Sequence, residues 1–515
     1  MTSRLVLSDV GEPELARIAE LVALSVRPGE MIALSGELGA GKTTFARALV
    51  RAVLDEPDAE VPSPTFNLLQ IYESPRFPIA HLDLYRLSNP NEVGEVIADD
   101  VLVRGVAVVE WPDRASALAA SSRLDVHIAE TGTPELRTLE LVGHGAWMLR
   151  LDRLDEVRRF LVHELGQDAW SRARFRYLQG DASPRAYARL LVDDTTHVLM
   201  NAPRLPDGPP IRNGLPYSRI AHLAEDVRPF VAVGRALEAI GIAAPHIRAR
   251  DMDRGLLLLQ DLGDLTFARA IDNGFVQRDL WTAAVDVLVA LRKAGLPRTL
   301  PLSTADTYAL ATYDGGALAI ETELLVDWYW PMLEGGPPSA AIRDEFVGLW
   351  GAQIERLGGL PRGWVLRDYH SPNLMWRPQS EGLARIGVLD FQDALQGPWA
   401  YDLVSLLQDA RVDVPQALEA ELFARYCDRI AAMEPDFDRT SFAHAYASLG
   451  AQRNTKILGI FARLARRDGK TAYLRHIPRI WSYLERDLAQ PALEPLGAWY
   501  DRHFPQAVRF AVLAT

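Results

Sequence analysis

The 515-residue chain is 48% hydrophobic and 24% charged, the balance of a folded globular protein, and it is too long for one core, so two to four domains are expected. Its single cysteine, Cys427, excludes a disulfide framework and a thiolate metal centre. No apolar run approaches the roughly 18 residues of a membrane span, and MTSRLVLSDVGEPEL does not read as a secretion signal. The net charge of −13 is uneven: residues 1–145 hold 12 Lys and Arg against 22 Asp and Glu, and the rest carries only −3. The first part is therefore a poor direct binder of a nucleic-acid backbone, and any role on RNA would run through protein partners. These features place the chain in a reducing cytoplasm, away from membranes, with Cys427 a buried or half-buried helical residue.

In chain order, residues 1–145 alternate strand and helix signals. GEMIALSG is a short apolar strand, KTTFARALVRAVL a helix with apolar residues at 45, 49, 50 and 53, RGVAVVEW a buried strand and RTLELVGHG a last one. Between the first strand and helix, SGELGAGKTT (35–44) matches G-x-x-x-x-G-K-[ST]. Glycines at this spacing turn backbone amides inward to cradle phosphates at a helix N-terminus. The predicted ATP-binding set is Gly36, Gly39, Ala40, Gly41, Lys42, Thr43 and Thr44, with Lys42 reaching the β- and γ-phosphates and the Thr43 hydroxyl on Mg²⁺. Glu110, ending the VAVV strand, supplies a second acid near the metal. Asp83, in HLDLYRL, has two readings: it polarises the attacking water or the water shell of the metal, or it is structural.

GELGAGKTTF, SPTF (63–66), HLDLYRL (81–87) and VEWPD (109–113), in that order, resemble the bacterial TsaE family over about residues 1–145. That family supplies the ATPase subunit of the tRNA threonylcarbamoyladenosine machinery and docks on the proteins that make the modification. The resemblance implies that Thr65 sits in a nucleotide-sensing loop, that Asp83 is needed for hydrolysis and that Thr43 and Glu110 bind Mg²⁺.

GHGA (143–146) is a plausible linker, giving an α/β P-loop NTPase domain over 1–146 and a second domain over 147–515. The helix LDEVRRFLVHEL opens the second part. RFRYLQ and AYARLLV are paired strands joined by the turn GDASPR, HVLMNAP is a third strand, and RGLLLLQDLGD is a strand running into a turn. From about 263 helical patterns dominate, broken by WVLRDYHSPNLMW (364–376) and RIGVLDFQD. A sheet-rich lobe (about 150–262) followed by a helical lobe (about 263–515) is a bilobal α+β, protein-kinase-like order.

Asp368 and Asn373 stand five residues apart, and Asp390 ends an apolar strand 17 residues later. This is the spacing of a kinase catalytic base followed by two metal-binding side chains. Asp368 would accept the proton of the substrate hydroxyl, while Asn373 and Asp390 hold Mg²⁺. His370 reads as a scaffold hydrogen-bonder more than a ligand, and Asp402 as a brace for the loop or a cap for its helix. No lysine occurs between 42 and 293, so the usual phosphate-pairing lysine of the small lobe is missing, and Met200 and Asn201 stand about where it belongs. Backbone amides around Ala182 and Ser183, with Arg185, are expected to replace it, although Arg185 also reads as a solvated turn charge. Gln260 and Leu262 would offer backbone groups to adenine.

GDASPRAYARL, MNAP, LLLQDLGD, DWYWPM, LRDYHSPNLMW, VLDFQDALQGPWAYDLVSLLQDAR and QRNTKILGIFARLARRDGK resemble the AmgK family of anomeric sugar kinases, a branch of the aminoglycoside-phosphotransferase-like kinases, over about residues 150–500. The resemblance implies phosphorylation of the anomeric hydroxyl of N-acetylmuramate and N-acetylglucosamine in peptidoglycan recycling. A polycationic acceptor would want an acidic groove, whereas N-acetylmuramate carries a carboxylate and would want a cation. Arg453 and Lys456 lie three apart on one helical face, with Arg463 close to it, and either bind such a carboxylate or solvate a helix. Asp327 or Glu323, beside the DWYW aromatics, would hydrogen-bond sugar hydroxyls, while the aromatics themselves read as core. Another small hydroxyl acceptor (an aminoglycoside, choline or a homoserine-like alcohol) is the alternative for the second domain. For the first, the alternative is a nucleotide-gated binding module.

Overall fold

The structure is a computed structural model that describes residues 3–65, 67–87, 103–114, 120–178 and 185–510. The chain forms two compact units: Met1–Pro203 with Ile247–Asp261, and Arg204–His246 with Leu262–Thr515.

The first unit starts with a seven-stranded sheet in the order β1-β7-β6-β2-β5-β4-β3. Its strands are β1 (Ser3–Val10), β2 (Glu30–Ser35), β3 (Leu69–Tyr72), β4 (Ile79–Asp83), β5 (Val106–Glu110), β6 (Arg123–Glu130) and β7 (Arg137–His144). The centre is parallel, β4 to β5 to β2 to β6, and the flanking pairs are antiparallel. β4 and β5 are buried at every position, as the continuous apolar runs of central parallel strands require. Helices α1 (Glu12–Ser25) and α2 (Lys42–Leu54) cover the sheet, and α2 buries the expected Phe45, Leu49, Val50 and Val53. Sequence reading gave β1 and β6 no separate strand signal because exposed residues interrupt their apolar ones.

Helix α3 (Trp147–Leu165) and the short α4 (Gln167–Arg172) follow, then β8 (Arg174–Leu178), β9 (Ala186–Val192) and β10 (Thr195–Asn201). With Ile247–Asp251 and Leu256–Gln260 these strands make a five-stranded antiparallel sheet in which β10 is central, flanked by β9 and Leu256–Gln260. The expected turn residues Ala182 and Ser183 lie outside the described residues.

The compact division does not follow the sequence boundary at residue 146. One continuous core runs from Leu7, Leu15, Ile18 and Val22 of the first sheet and α1, through Trp147, Leu151 and Phe160 of α3, to Trp170, Phe175, Leu190 and Leu258 of the second sheet. Polar bonds cross the same joint. Arg150 of α3 pairs with Glu30 and donates to the Ser25 carbonyl at 2.8 Å, the Phe175 amide donates to Glu20 at 3.0 Å, and Arg176 pairs with Asp55 at 2.7 Å. Burial pushes the Glu20 carboxyl up to about 7, against the lowering effects of Arg17 and the Phe175 amide.

The second unit is mainly helical, built on Gln277–Ala294, Ala340–Gly358, Ala400–Leu407, Gln416–Ala431, Arg439–Asp468 and Ile477–Leu488. Four short ladders interrupt it among the described residues: Pro210–Arg212 with Leu215–Pro216, Thr299–Pro301 with Thr307–Ala309, Arg362–Val365 with Leu395–Pro398, and Leu374–Trp376 with Ile386–Val388. The last two take in the stretches expected to break the helical pattern; the ladder at 299–309 was not expected. The long helix Arg439–Asp468 passes so close to a π-helical turn, Leu325–Tyr329, that a Cβ on Gly459 would stand 2.3 Å from the carbonyl carbon of Leu324. Of the DWYW aromatics, Tyr329 and Trp330 are core, packed on Trp481, Trp499 and Phe504. Among the described residues no helix is long and apolar enough to cross a membrane. Cys427 is buried in a helix, and its thiol is pushed up to about 11 by burial.

Candidate active sites

In the first unit the phosphate loop follows β2 and opens α2. Gly36 must be glycine: its φ is +136°, and a Cβ there would meet the Ile128 carbonyl oxygen at 2.2 Å. Gly39 and Gly41 also lie at positive φ. Ala40 is buried, its carbonyl accepting from Arg137 Nε at 3.1 Å, and Thr44 lies in the first turn of α2. Lys42 is 4% exposed, and its Nζ donates to the Gly36 and Glu37 carbonyls at 2.9 and 2.7 Å while standing 3.9 Å over the Trp111 ring. Burial lowers its pKa, and Glu110 and Asp83 counteract that shift.

Asp83 and Glu110 end adjacent parallel strands in register, at the carboxyl edge where α/β sheets bind ligands. Glu110 Oε2 accepts from Thr43 Oγ1 at 3.0 Å, and Oε1 lies 3.0 Å from His81 Nε2. Asp83 accepts from Ser63 Oγ at 2.5 Å and from the Tyr85 amide at 3.1 Å. Thr65 Oγ1 turns back to the Ser63 carbonyl at 3.4 Å, so the 63–65 segment is tied to Asp83 through Ser63. Sequence reading did not single out His81 or Trp111. The HLD and VEWPD strings held both, but burial of His81 behind Glu110 and the ring under Lys42 are tertiary facts.

In the second unit a loop after Arg362–Val365 carries Asp368. Asp402, from helix Ala400–Leu407, accepts from the Leu366 and Arg367 amides at 2.6 and 2.8 Å, the bracing role expected for it. Burial raises the Asp402 carboxyl to about 7, against the lowering effect of those two amides. Leu366, Arg367, Tyr369 and His370 are buried while Asp368 between them is half-buried. Among the described residues no donor bonds the Asp368 carboxylate. Asn373 Nδ2 donates to the Asp368 carbonyl at 3.0 Å, which orients the amide and leaves Oδ1 as its acceptor. The Leu389 amide donates to the Asn373 carbonyl at 2.8 Å, continuing the Leu374–Val388 ladder, so Asp390 is carried beside Asn373. Asp390 sits at φ +54° and accepts from Gln392 Nε2 at 2.6 Å.

A buried ion network stands behind this loop. Glu321 pairs with Arg367 and, at 2.8 Å, with Lys456, and accepts from Gln452 at 3.0 Å. Burial alone would raise the Glu321 carboxyl, but Lys456 and Arg367 outweigh it and hold it at about 2. Lys456, a candidate for binding the substrate, is thus a structural counter-ion. Asp327 is exposed and pairs with Arg343 at 2.6 Å, and Glu323 is buried against Arg212 and Arg343. Arg453 is buried on the same helix as Lys456. His370 is buried with its Nδ1 unbonded, and its pKa is driven well down by burial and by Arg411, Arg453 and Lys456.

The remaining nucleotide candidates are spread over the small sheet. Met200 is buried, and Asn201 Oδ1 accepts from Arg153 of α3 at 2.9 and 2.7 Å. Arg185 and Gln260 are half-buried, the latter ending its strand opposite His197. Leu262 lies against Gly387.

Comparison with known proteins divides the chain between residues 138 and 174, inside the first compact unit. The family model for the threonylcarbamoyl adenosine biosynthesis protein TsaE matches residues 11–138, and that for the phosphotransferase enzyme family matches residues 174–442. The chain is 40% identical to an N-acetylmuramate/N-acetylglucosamine kinase of Caulobacter vibrioides over 67% of its own length and 96% of that protein. It is 35% identical to the kinase of the same name from Pseudomonas aeruginosa, over 62% and 85% of the two chains. Its N-terminal part is 37% identical to the tRNA threonylcarbamoyladenosine biosynthesis protein TsaE of Rickettsia felis, over 23% and 68%. The chain therefore belongs to two enzyme families in tandem, a TsaE-type P-loop ATPase followed by a kinase of the phosphotransferase enzyme family.

Proposed function

We propose that the chain is bifunctional. Its kinase part transfers the γ-phosphoryl group of ATP to the anomeric hydroxyl of N-acetylmuramate or N-acetylglucosamine in cell-wall recycling, and its P-loop part hydrolyses ATP for tRNA threonylcarbamoyladenosine formation in contact with the other proteins of that machinery. The observation that carries the kinase reading is Asp368, a carboxylate on a braced loop with no donor of its own among the described residues. It accepts the hydroxyl proton as the sugar oxygen bonds to the γ-phosphorus and ADP leaves. The Asn373 amide oxygen and the Asp390 carboxylate are hard oxygen donors side by side, which fits magnesium arriving with nucleotide phosphates. The metal would neutralise charge that builds on the transferring group.

In the P-loop part Thr43 Oγ1 and Glu110 are the matching oxygen pair, the loop from Gly36 to Thr44 holds the nucleotide, and Asp83 orients water, with Thr65 on the segment bonded to it. Lys42, capping loop carbonyls, exchanges those partners for phosphate oxygens. For Ser183, Arg185, Gln260 and Leu262 the sequence pattern is what supports a role in holding the nucleotide of the kinase part. A reducing cytoplasmic setting supplies both substrates. Incubating the full chain with ATP and N-acetylmuramate, and locating the phosphate by NMR, tests the kinase reading. An α- or β-1-phosphate is expected, and no transfer to either amino sugar would sink it.

A further inference from the structure

Helix Arg439–Asp468 carries three cations near the catalytic loop, Arg453, Lys456 and Arg463, and two are engaged. Lys456 belongs to Glu321, and Arg463 lies 5.6 Å from the centre of the Tyr217 ring, its Nε buried without a partner. Arg453 is 5% exposed and forms no hydrogen bond or ion pair among the described residues, and its Nη1 is sealed from solvent without a partner. A guanidinium taken out of water without an anion is strongly unfavourable.

Its surroundings sharpen the demand. Cations crowd the place, since Arg411, Arg453 and Lys456 all bear on His370, whose buried Nδ1 is another unpartnered atom. An acid that senses Arg453, Asp402, already spends its two oxygens on the Leu366 and Arg367 amides. Asp402 bonds the amides just before Asp368 and His370 follows it by two residues, so the unpartnered guanidinium that bears on both belongs to the surroundings of the base. We infer that Arg453 is the specificity residue for the acceptor, pairing with a carboxylate on the sugar, the lactyl carboxylate of N-acetylmuramate. His370, whose buried Nδ1 has no partner, offers an N–H to the same group.

The inference rests on the kinase reading above and picks out one substrate within it, since N-acetylglucosamine has no carboxylate. Steady-state kinetics of the full chain test it. In R453Q the ratio of kcat/KM on N-acetylmuramate to that on N-acetylglucosamine is expected to fall at least tenfold, mostly through KM, with R453K recovering part of the loss. On the unmutated chain, the methyl ester of N-acetylmuramate is expected to be at least tenfold poorer than the acid, a readout that needs no variant to fold. A ratio that stays within twofold, equal use of acid and ester, or an equal fall on both sugars (the signature of a contact to the transferred phosphate) overturns the assignment. If the unmutated chain phosphorylates neither sugar, the kinase reading has failed instead.

Discussion

At the scale of single residues, chemistry and support lie next to each other and respond differently to mutation. Asp368→Ala is expected to lower sugar phosphorylation by about 10²–10⁴-fold while ATP hydrolysis by the P-loop part continues, which separate assays on one preparation would register. Loss of both would argue against independent sites. Glu321→Gln acts otherwise, because it leaves Arg367 and Lys456 buried without their anion. A loss of about 3–5 kcal/mol is expected in denaturant titrations. The pH dependence has a definite sign. The folded carboxyl, at about 2, lies below the unfolded value of about 4.3. Its stabilisation is therefore complete above pH ~4.3 and disappears as pH falls toward 2, so the variant should show a flatter acid limb. The phosphate loop was legible in the sequence because Gly36, Gly41 and Lys42 form one contiguous motif, although the close approach that demands glycine at 36 comes from distant Ile128. The Asp368, Asn373 and Asp390 set was legible for the same reason, with one short ladder closing the gap. What separates Lys456 from Arg453 was not legible, since it depends on Glu321, 135 residues away from Lys456.

Elements show which constraints a pattern carries and which it leaves to packing. The α2 face, strands β2, β5 and β7 and the two strand breaks in the helical unit follow from apolar spacing, and they appear where the spacing puts them. β1 was missed because a flanking strand with exposed residues between its buried ones gives too few apolar positions to read. The closeness of Arg439–Asp468 to Leu325–Tyr329 was equally hidden, since one glycine in a long helix is silent until its neighbour is known. Gly459→Ala should force these elements apart, lowering stability by about 1–3 kcal/mol, and thermal melts would measure it. Because the same helix carries Arg453 and Lys456, kinase activity should fall along with the melting temperature. An alanine here that is neutral on both counts would contradict the close approach.

For the molecule as a whole, the decisive feature is the core that runs from the P-loop sheet through α3 into the small kinase sheet. A tether would let residues 147–515 fold alone; a common interior is expected to make the two parts depend on each other. Cutting the chain between 146 and 147 is expected to expose Leu15, Ile18 and Val22 on one side and Trp147, Leu151 and Phe160 on the other. Each fragment made separately should aggregate or bind a hydrophobic dye, and the two made together should co-purify. Soluble, monomeric fragments with full activity would refute this. Trp147→Ala, at a fully buried position, should lower the stability of that unit by about 3–5 kcal/mol. In a cell the arrangement fixes the dosage of the two enzymes at one to one. A lesion in α3 would strike the P-loop part and the kinase part in one inherited event, because both lean on the same interior.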